Sequence, residues 1–213
     1  MSKASTPVDE DLFAFIAAAT IPEDALLHDL RTAAAAAGLP EIHIAPEQAA
    51  FLQLLVRAAG VRTLVEVGTL GGYSAIAMAR GLPADGRVIT HEIDGHHAAF
   101  AREWIARSDQ RGKIEVRLGD AADTLATLAA ASADAMFLDA DKTGYVTYLE
   151  HAMRILRPGG ILLADNVLAG GDVARGTAET PVAIRNFLDA ARAAGVRSVI
   201  VPLGDGCFFG VRP

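Results

Sequence analysis

The chain has 213 residues, 52% of them hydrophobic, with 26 acidic against 19 Lys and Arg side chains and a net charge of −7. That is enough chain for one full core, and its charge supplies no electrostatic reason to bind nucleic acid or an anionic membrane. The single cysteine, Cys207, excludes an internal disulfide framework, suits a reducing compartment, and reads as a small apolar residue of a late strand.

The opening MSKASTPVDEDL has no basic segment followed by a long apolar run, and the later FAFIAAATI is too short to cross a bilayer. A cytoplasmic protein is expected. Val8 to Ala19 predicts a first helix, with Asp9, Glu10 and Asp11 where the helix dipole favours acids. Glu23 to Ala37 predicts a second, alanine-rich and stopped at Gly38. Pro46 suits the first turn of a third, which runs to about Ala59 and ends at Gly60. These helices could cover a sheet face, wall a substrate site or pair with a second subunit, and the sequence leaves all three open. A homodimer is the expected assembly.

The stretch from Leu64 to Ser74, LVEVGTLGGYS, organises the rest of the chain. Leu64 to Val67 reads as a short buried strand, Gly68, Gly71 and Gly72 break it, and Tyr73 to Arg80 resumes with helical spacing. A strand that stops at glycines and re-enters as a helix is the first turn of a nucleotide-type βαβ unit. Leu70 stands where G-x-G-x-x-G requires its second glycine, the one that lets a pyrophosphate press on the backbone. That weakens the case for NAD and leaves open a nucleoside ligand without phosphates.

Strands are predicted at 61–67, which contains that first one, and at 87–92, 113–118, 134–139 and 160–165, with helices between them. Such alternation implies a mainly parallel sheet covered on both faces. Arg197–Leu203 and Cys207–Arg212 are β-type runs joined by Gly204-Asp205-Gly206, so the last strand should run antiparallel. The expected fold class is therefore α/β: a Rossmann-like seven-stranded, mainly parallel sheet with an antiparallel last strand, helices on both faces and extra N-terminal helices. Residues 1–213 are read as one domain, with a helical cover over 1–60 and a sheet core over 61–213.

In such a sheet the ligand lies beyond the carboxyl ends of the strands. The second strand delivers Glu92, twenty positions after Gly72, where a carboxylate can accept both ribose hydroxyls; a solvated strand-end acid is the plain alternative. Asp94 opens a helix and reads as its N-cap. The third strand delivers Gly119, Asp120 and Ala121, positioned to flank a base, although Asp120 is equally suited to cap the next helix. AMFLDADK ends in Asp139, Asp141 and Lys142, and ILLADN ends in Asp165 and Asn166. Neighbouring strands lie ~4.8 Å apart, so groups at their ends can close on one ion at oxygen distances of ~2.1 Å. Two carboxylates and an amide, without sulfur or imidazole, suit a hard divalent cation such as Mg²⁺; turn caps and arginine partners are the alternative use of these acids.

Glu66-x-Gly-x-x-x-Gly-Tyr-Ser, Asp139-Ala-Asp-Lys, Asp165-Asn166-Val-Leu and Gly204-Asp-Gly, in that order, resemble one family. It is the cation-dependent class I S-adenosylmethionine O-methyltransferases, the group of the caffeoyl-CoA and catechol enzymes and their bacterial relatives, over about His43 to Val211. The resemblance implies that Glu66, Gly68, Thr69 and Ser74 line the amino-acid end of S-adenosylmethionine, that Glu92 takes the ribose, and that Ala121 and Asp120 flank the adenine. Ile44 matches a backbone contact, and Asp139 also counts among the cofactor residues. Asp139, Asp165 and Asn166 match the metal ligands, and Lys142 the catechol enzyme's general base, a surface lysine being the alternative.

The chemistry agrees with those roles. A free phenol has a pKa near ~10, a bound cation favours its anion and orients two neighbouring hydroxyls, and Lys142 could take the proton before in-line attack on the sulfonium methyl. Ala169 stands where many relatives carry tryptophan, and the glycine-rich stretch from Leu168 to Ala178 reads as a lid. No basic cluster suits a CoA tail, so the expected acceptor is a small catechol-like phenol. A tRNA-modifying methyltransferase of the same fold is the main alternative, opposed by the acidic balance, and a nicotinamide-dependent oxidoreductase is the weaker one. Adjacent His96 and His97 point apart on a helix, and the other histidines are too scattered for a zinc site. Trp104 reads as core or interface, Tyr145 and Tyr148 as packing, with Tyr145 near enough to Lys142 to touch substrate.

Overall fold

The structure, a computed structural model, describes residue 6 and residues 8–213. The expected lack of a leader concerns in part residues 1–5 and 7, which lie outside the described residues. Three helices come first: α1 (Glu10–Ala19), α2 (Ala25–Ala36) and α3 (Pro46–Ala58). Then strands and helices alternate, with β1 (Thr63–Val67), α4 (Tyr73–Gly81), β2 (Arg87–Glu92), α5 (Gly95–Arg107), β3 (Ile114–Leu118), α6 (Ala121–Ala126) and β4 (Ala133–Leu138). The chain closes with α7 (Tyr145–Ile155), β5 (Leu156–Ala164), α8 (Glu179–Ala193), β6 (Arg197–Val201) and β7 (Cys207–Val211). Asp9, Asp24, Asp94 and Asp120 cap α1, α2, α5 and α6 by accepting from backbone amides of the first turn. Pro46 opens α3, where its missing N–H costs nothing.

The seven strands form one sheet in the order β3-β2-β1-β4-β5-β7-β6. All neighbours are parallel except that β7 runs antiparallel to both β5 and β6. The antiparallel last strand was expected; its insertion between β5 and β6 was not legible, because a hairpin link does not say on which side the returning strand pairs. β5 also begins earlier than predicted, since Ala133 pairs with Leu156 but Ala135 with Ile161, leaving Arg157–Gly159 exposed as a bulged run.

Side chains alternate between two cores. Leu64, Ala135, Phe137, Leu163 and Cys207 face α2, α3, α4 and α5, whereas Val65, Val67, Met136, Leu138, Leu162 and Phe208 face α6, α7 and α8. This period of two, with both faces apolar, is what a sheet covered on both sides requires. Of the uses left open for the N-terminal helices, α2 and α3 cover the first face, and α3 also reaches the cavity through Gln48. α1 buries no side chain, and Phe15 on it is 68% exposed. No described helix is long and apolar enough to cross a membrane.

Candidate active site

β1 leads outward to β2 and β3, then the chain crosses back to β4 on the other side of β1. The crevice at that reversal is the place an open α/β sheet offers a ligand. A cavity of about 900 Å³ occupies it, within the ~300–1,000 Å³ of small-molecule sites. The parallel ladder carries the site one residue past each strand: Gly68 N donates to His91 O at 3.0 Å, Asp139 N to Val67 O at 2.8 Å and Asp165 N to Leu138 O at 2.9 Å. Gly68, Asp139 and Asp165 therefore stand side by side on successive strand ends. Gly68 has φ +98°, and a Cβ there would lie 1.9 Å from Asp139 O, so the close approach of the two strand ends requires glycine.

On the β1–β2 side, Gly68, Thr69, Ser74 and Glu92 line the cavity, with Ile44 facing them from the α2–α3 link and Asp120 and Ala121 from the start of α6. Leu70 adopts φ +48°, a left-handed conformation rare for leucine, so the turn keeps a glycine-like backbone where the fingerprint glycine is missing. Its N–H donates to Glu92 Oε2 at 2.8 Å, and Thr69 N donates to the same oxygen at 3.2 Å. Asp94 N donates to Glu92 Oε1 at 3.0 Å. Glu92 thus staples the glycine turn while keeping a face on the cavity, a structural duty that its sequence position did not announce. Asp120 caps α6, one of the two readings left open for it, and also lines the cavity.

Glu66 departs from the rest of the implied set because it is not on the cavity wall. It is fully buried behind Ser74, whose Oγ donates to Glu66 Oε1 at 2.6 Å, and its Oε2 has no partner. Burial pushes its carboxyl up to about 8, with the hydrogen bond from Ser74 opposing and the negative charges of Asp139 and Glu92 adding. His43 and His91 also reach the cavity. His91 Nδ1 lies 2.8 Å from Glu66 O, and since a carbonyl only accepts, the ring carries its proton on Nδ1. Burial, then the charge of Arg31, lowers His43 to about 4, leaving the ring neutral.

On the β4–β5 side, Asp139, Asp141, Lys142, Asp165 and Asn166 share the same wall. Lys142 Nζ lies 3.4 Å from Asp139 Oδ1 and donates to Tyr145 Oη at 2.7 Å. Asp139 keeps 21% of its side chain open. Burial raises it to about 6, with the Lys142 charge opposing and the Asp165 charge adding. Asp165 is likewise raised by burial, and the hydrogen bond from Gln48 opposes this. Asn166 sits at φ +56°, the left-handed region that asparagine tolerates best after glycine.

The geometry corrects several expectations. Tyr145, placed within reach of substrate, is fully buried beneath Lys142, and its hydroxyl lies 3.0 Å from Leu138 O and 3.1 Å from Asp165 O. Of that pair Tyr148 is the one on the wall, its hydroxyl donating to Asp141 Oδ1 at 2.7 Å. None of Leu168–Ala178 lines the cavity, Ala169 included. Two short turns over Ala169–Ala174, kinked at Gly170 and Gly171, are tied down instead: Gly170 N donates to Asp205 Oδ1 at 2.8 Å, and Val173 O accepts from Arg185 at 2.8 Å. Trp104 and Cys207 are buried, as expected. Gln48 was missed, although one signal pointed to it: Gln48, Leu52 and Val56 repeat at intervals of four, which places a polar residue on the apolar stripe of α3.

The arrangement combines a glycine turn stapled by a strand-end acid with a pair of acids and a lysine across the switch point. That is the architecture of a doubly wound nucleoside-binding enzyme, with an acidic wall on the far side of the switch point. The chain belongs to the O-methyltransferase family: a family model of that description matches residues 17–212. It is a class I, S-adenosylmethionine-dependent O-methyltransferase by that membership. It is 39% identical over 173 residues to a catechol O-methyltransferase of Mycobacterium tuberculosis, covering 81% of this chain and 79% of the relative. It is 43% identical over 154 residues to one of Niastella koreensis, covering 71% and 70%. Among solved structures, the O-methyltransferase from Bacillus cereus in complex with SAH superposes with a TM-score of 0.88 at 36% identity, covering 94% of this chain and 96% of that one.

Proposed function

We propose that the chain is a divalent-cation-dependent O-methyltransferase that moves a methyl group from S-adenosylmethionine to one hydroxyl of a small vicinal dihydroxy aromatic. Residues 1–213 would act as one catalytic domain in the cytoplasm, as a homodimer that sedimentation of the purified chain tests. The observation that carries the reading is Asp139 beside Asp165 on adjacent strand ends, with Lys142 Nζ 3.4 Å from Asp139 on the same wall. The relatives named catechol O-methyltransferase support the acceptor class.

The residues present fit both a divalent cation and S-adenosylmethionine. Among the described residues no three His, Cys, Asp or Glu side chains gather as a ligand set; Asp139, Asp165 and Asn166 are two carboxylates and an amide, all-oxygen donors of the kind Mg²⁺ takes. The cavity wall holds six acids (Glu92, Asp120, Asp139, Asp141, Asp165 and Asp205) against Lys142 and no arginine. Such a wall favours cations and repels a CoA ester or a polynucleotide, which disfavours the tRNA reading. When bound, the cation stabilises the phenolate, and S-adenosylmethionine supplies the methyl group.

Asp139, Asp165 and Asn166 would hold the cation, and Lys142 Nζ would take the hydroxyl proton. Tyr145 Oη accepts a hydrogen bond from Lys142 and so holds Nζ beside Asp139, where the neutral amine, its own proton given up to solvent, would receive the one from the hydroxyl. Glu92 would bind the ribose, Ile44, Gly68 and Thr69 the amino-acid end, Ser74 the same end with Glu66 behind it, and Asp120 and Ala121 the adenine side. Catechol methylation with added Mg²⁺, then EDTA, then Mg²⁺ again tests the reading: activity is lost with the chelator and returns with the metal. Asp139→Ala should lower turnover at least ~100-fold with an unchanged circular dichroism spectrum. Turnover indifferent to EDTA overturns the proposal.

A further inference from the structure

We propose that Gln48 is a positioning residue for Asp165 and thereby sets the affinity of the cation site. The inference rests on the metal-dependent reading above and deepens it. Gln48 lies in the first turn of α3, 1% exposed, and its Nε2 donates to Asp165 Oδ1 at 2.6 Å across 117 residues of sequence. A carboxylate at a strand end can rotate about its side-chain torsions. A donor fixed on a separate helix removes that freedom and directs the remaining lone pairs.

On its opposite side the amide lies close against backbone. Gly204, in the link between β6 and β7, has φ +57°, and a Cβ there would lie 2.4 Å from Gln48 Oε1. The side chain of Gln48 therefore runs against the bare backbone of Gly204, where an added methyl group would displace its amide and adopt a strained φ. Two elements distant in sequence meet at the carboxylate, α3 and the end of β5, and the β6–β7 link packs on the amide that joins them. The backbone of Asp165 is fixed independently, its N–H bonded to Leu138 O and its carbonyl within 3.1 Å of Tyr145 Oη. What Gln48 adds is the orientation of the side chain alone.

A buried glutamine needs partners for its own sake, so a merely structural role must be told apart from this one. Manganese serves as the probe: binding of Mn²⁺ to the protein saturated with S-adenosylhomocysteine is followed by loss of the free-ion electron paramagnetic resonance signal. Gln48→Met keeps the length of the side chain and removes the donor. It should raise the Mn²⁺ dissociation constant about 10–100-fold, leave S-adenosylhomocysteine affinity within about twofold, and raise the Mg²⁺ concentration for half-maximal activity while largely preserving kcat at saturating metal. Gly204→Ala keeps Gln48 and displaces its amide, and should weaken Mn²⁺ at least about threefold; it carries the test if Gln48→Met does not fold. Native-like Mn²⁺ binding in the folded variants overturns the role of Gln48. No Mn²⁺ binding by the unaltered protein overturns the metal reading itself, and this proposal with it.

Discussion

Glu66 carries a cost that depends on pH. In the unfolded chain it ionises near its ordinary value of 4.5, whereas burial holds it protonated up to about 8 in the fold. Below about 4.5 both states are protonated and the group costs nothing; as pH rises toward 8 the unfolded chain gives up a proton that the folded chain retains, and stability falls. Glu66→Gln is neutral throughout, so the variant should match the parent near pH 5 and exceed it by on the order of 3 kcal/mol at pH 8. Thermal melts of the cofactor-free protein from pH 5 to 8.5 check this, and parallel melting curves would refute it. Glu66 was legible as a motif residue, but its position behind Ser74 was not. Strand alternation tells which face a side chain takes and says nothing of what stands between it and a ligand. Tyr145 and Tyr148 make the same point, since helical spacing put both on α7 without saying which would be sealed under Lys142.

The strands meet most closely where β1 ends against β4. Gly68 allows this contact, and Gly68→Ala would drive a methyl group into the Asp139 carbonyl while forcing alanine to φ +98°. The expected loss is at least ~3 kcal/mol, seen as a large fall in Tm or as insoluble protein; a melt within 2 °C of the parent would show that the two strand ends can part without cost. The βα units were legible because the apolar runs ended at residues such as Gly68, Gly119, Asp139 and Asp165, and because α5 and α6 began with their own caps, Asp94 and Asp120. The placement of β7 between β5 and β6 was not. Local chemistry specifies the antiparallel turn, and only the pairing of Ala164 with Phe208 and Val201 with Cys207 selects the neighbours. The Leu168–Ala178 stretch was misread for a related reason: its glycines suggested freedom, but Asp205 and Arg185 hold it from other parts of the chain.

The cavity draws on every layer of the molecule: the α2–α3 link, the ends of β1, β2, β4 and β5, the starts of α4 and α6, and the β6–β7 link. A ligand that binds there joins elements otherwise connected only through the sheet. Cofactor product at 100 times its dissociation constant should stabilise the fold by about 2.7 kcal/mol, which for a chain of this size raises Tm by about 5–10 °C. Differential scanning calorimetry with S-adenosylhomocysteine checks this, with NAD as the comparison; an equal shift with NAD, or none with either, would count against the assigned cofactor site.

The order of strands and helices, the glycine turn, and the acids at the ends of β2, β4 and β5 were determined by the amino-acid sequence alone. They are consequences of short-range chemistry: side-chain period, capping, turn residues and the apolar runs between them. The position of β7, the burial of Glu66, the tyrosine beneath Lys142 and the contact of Gln48 with Asp165 were decided by the tertiary structure. Each depends on groups brought together from far apart in the chain, and a pairwise contact over that distance leaves no periodic mark in either partner's neighbourhood.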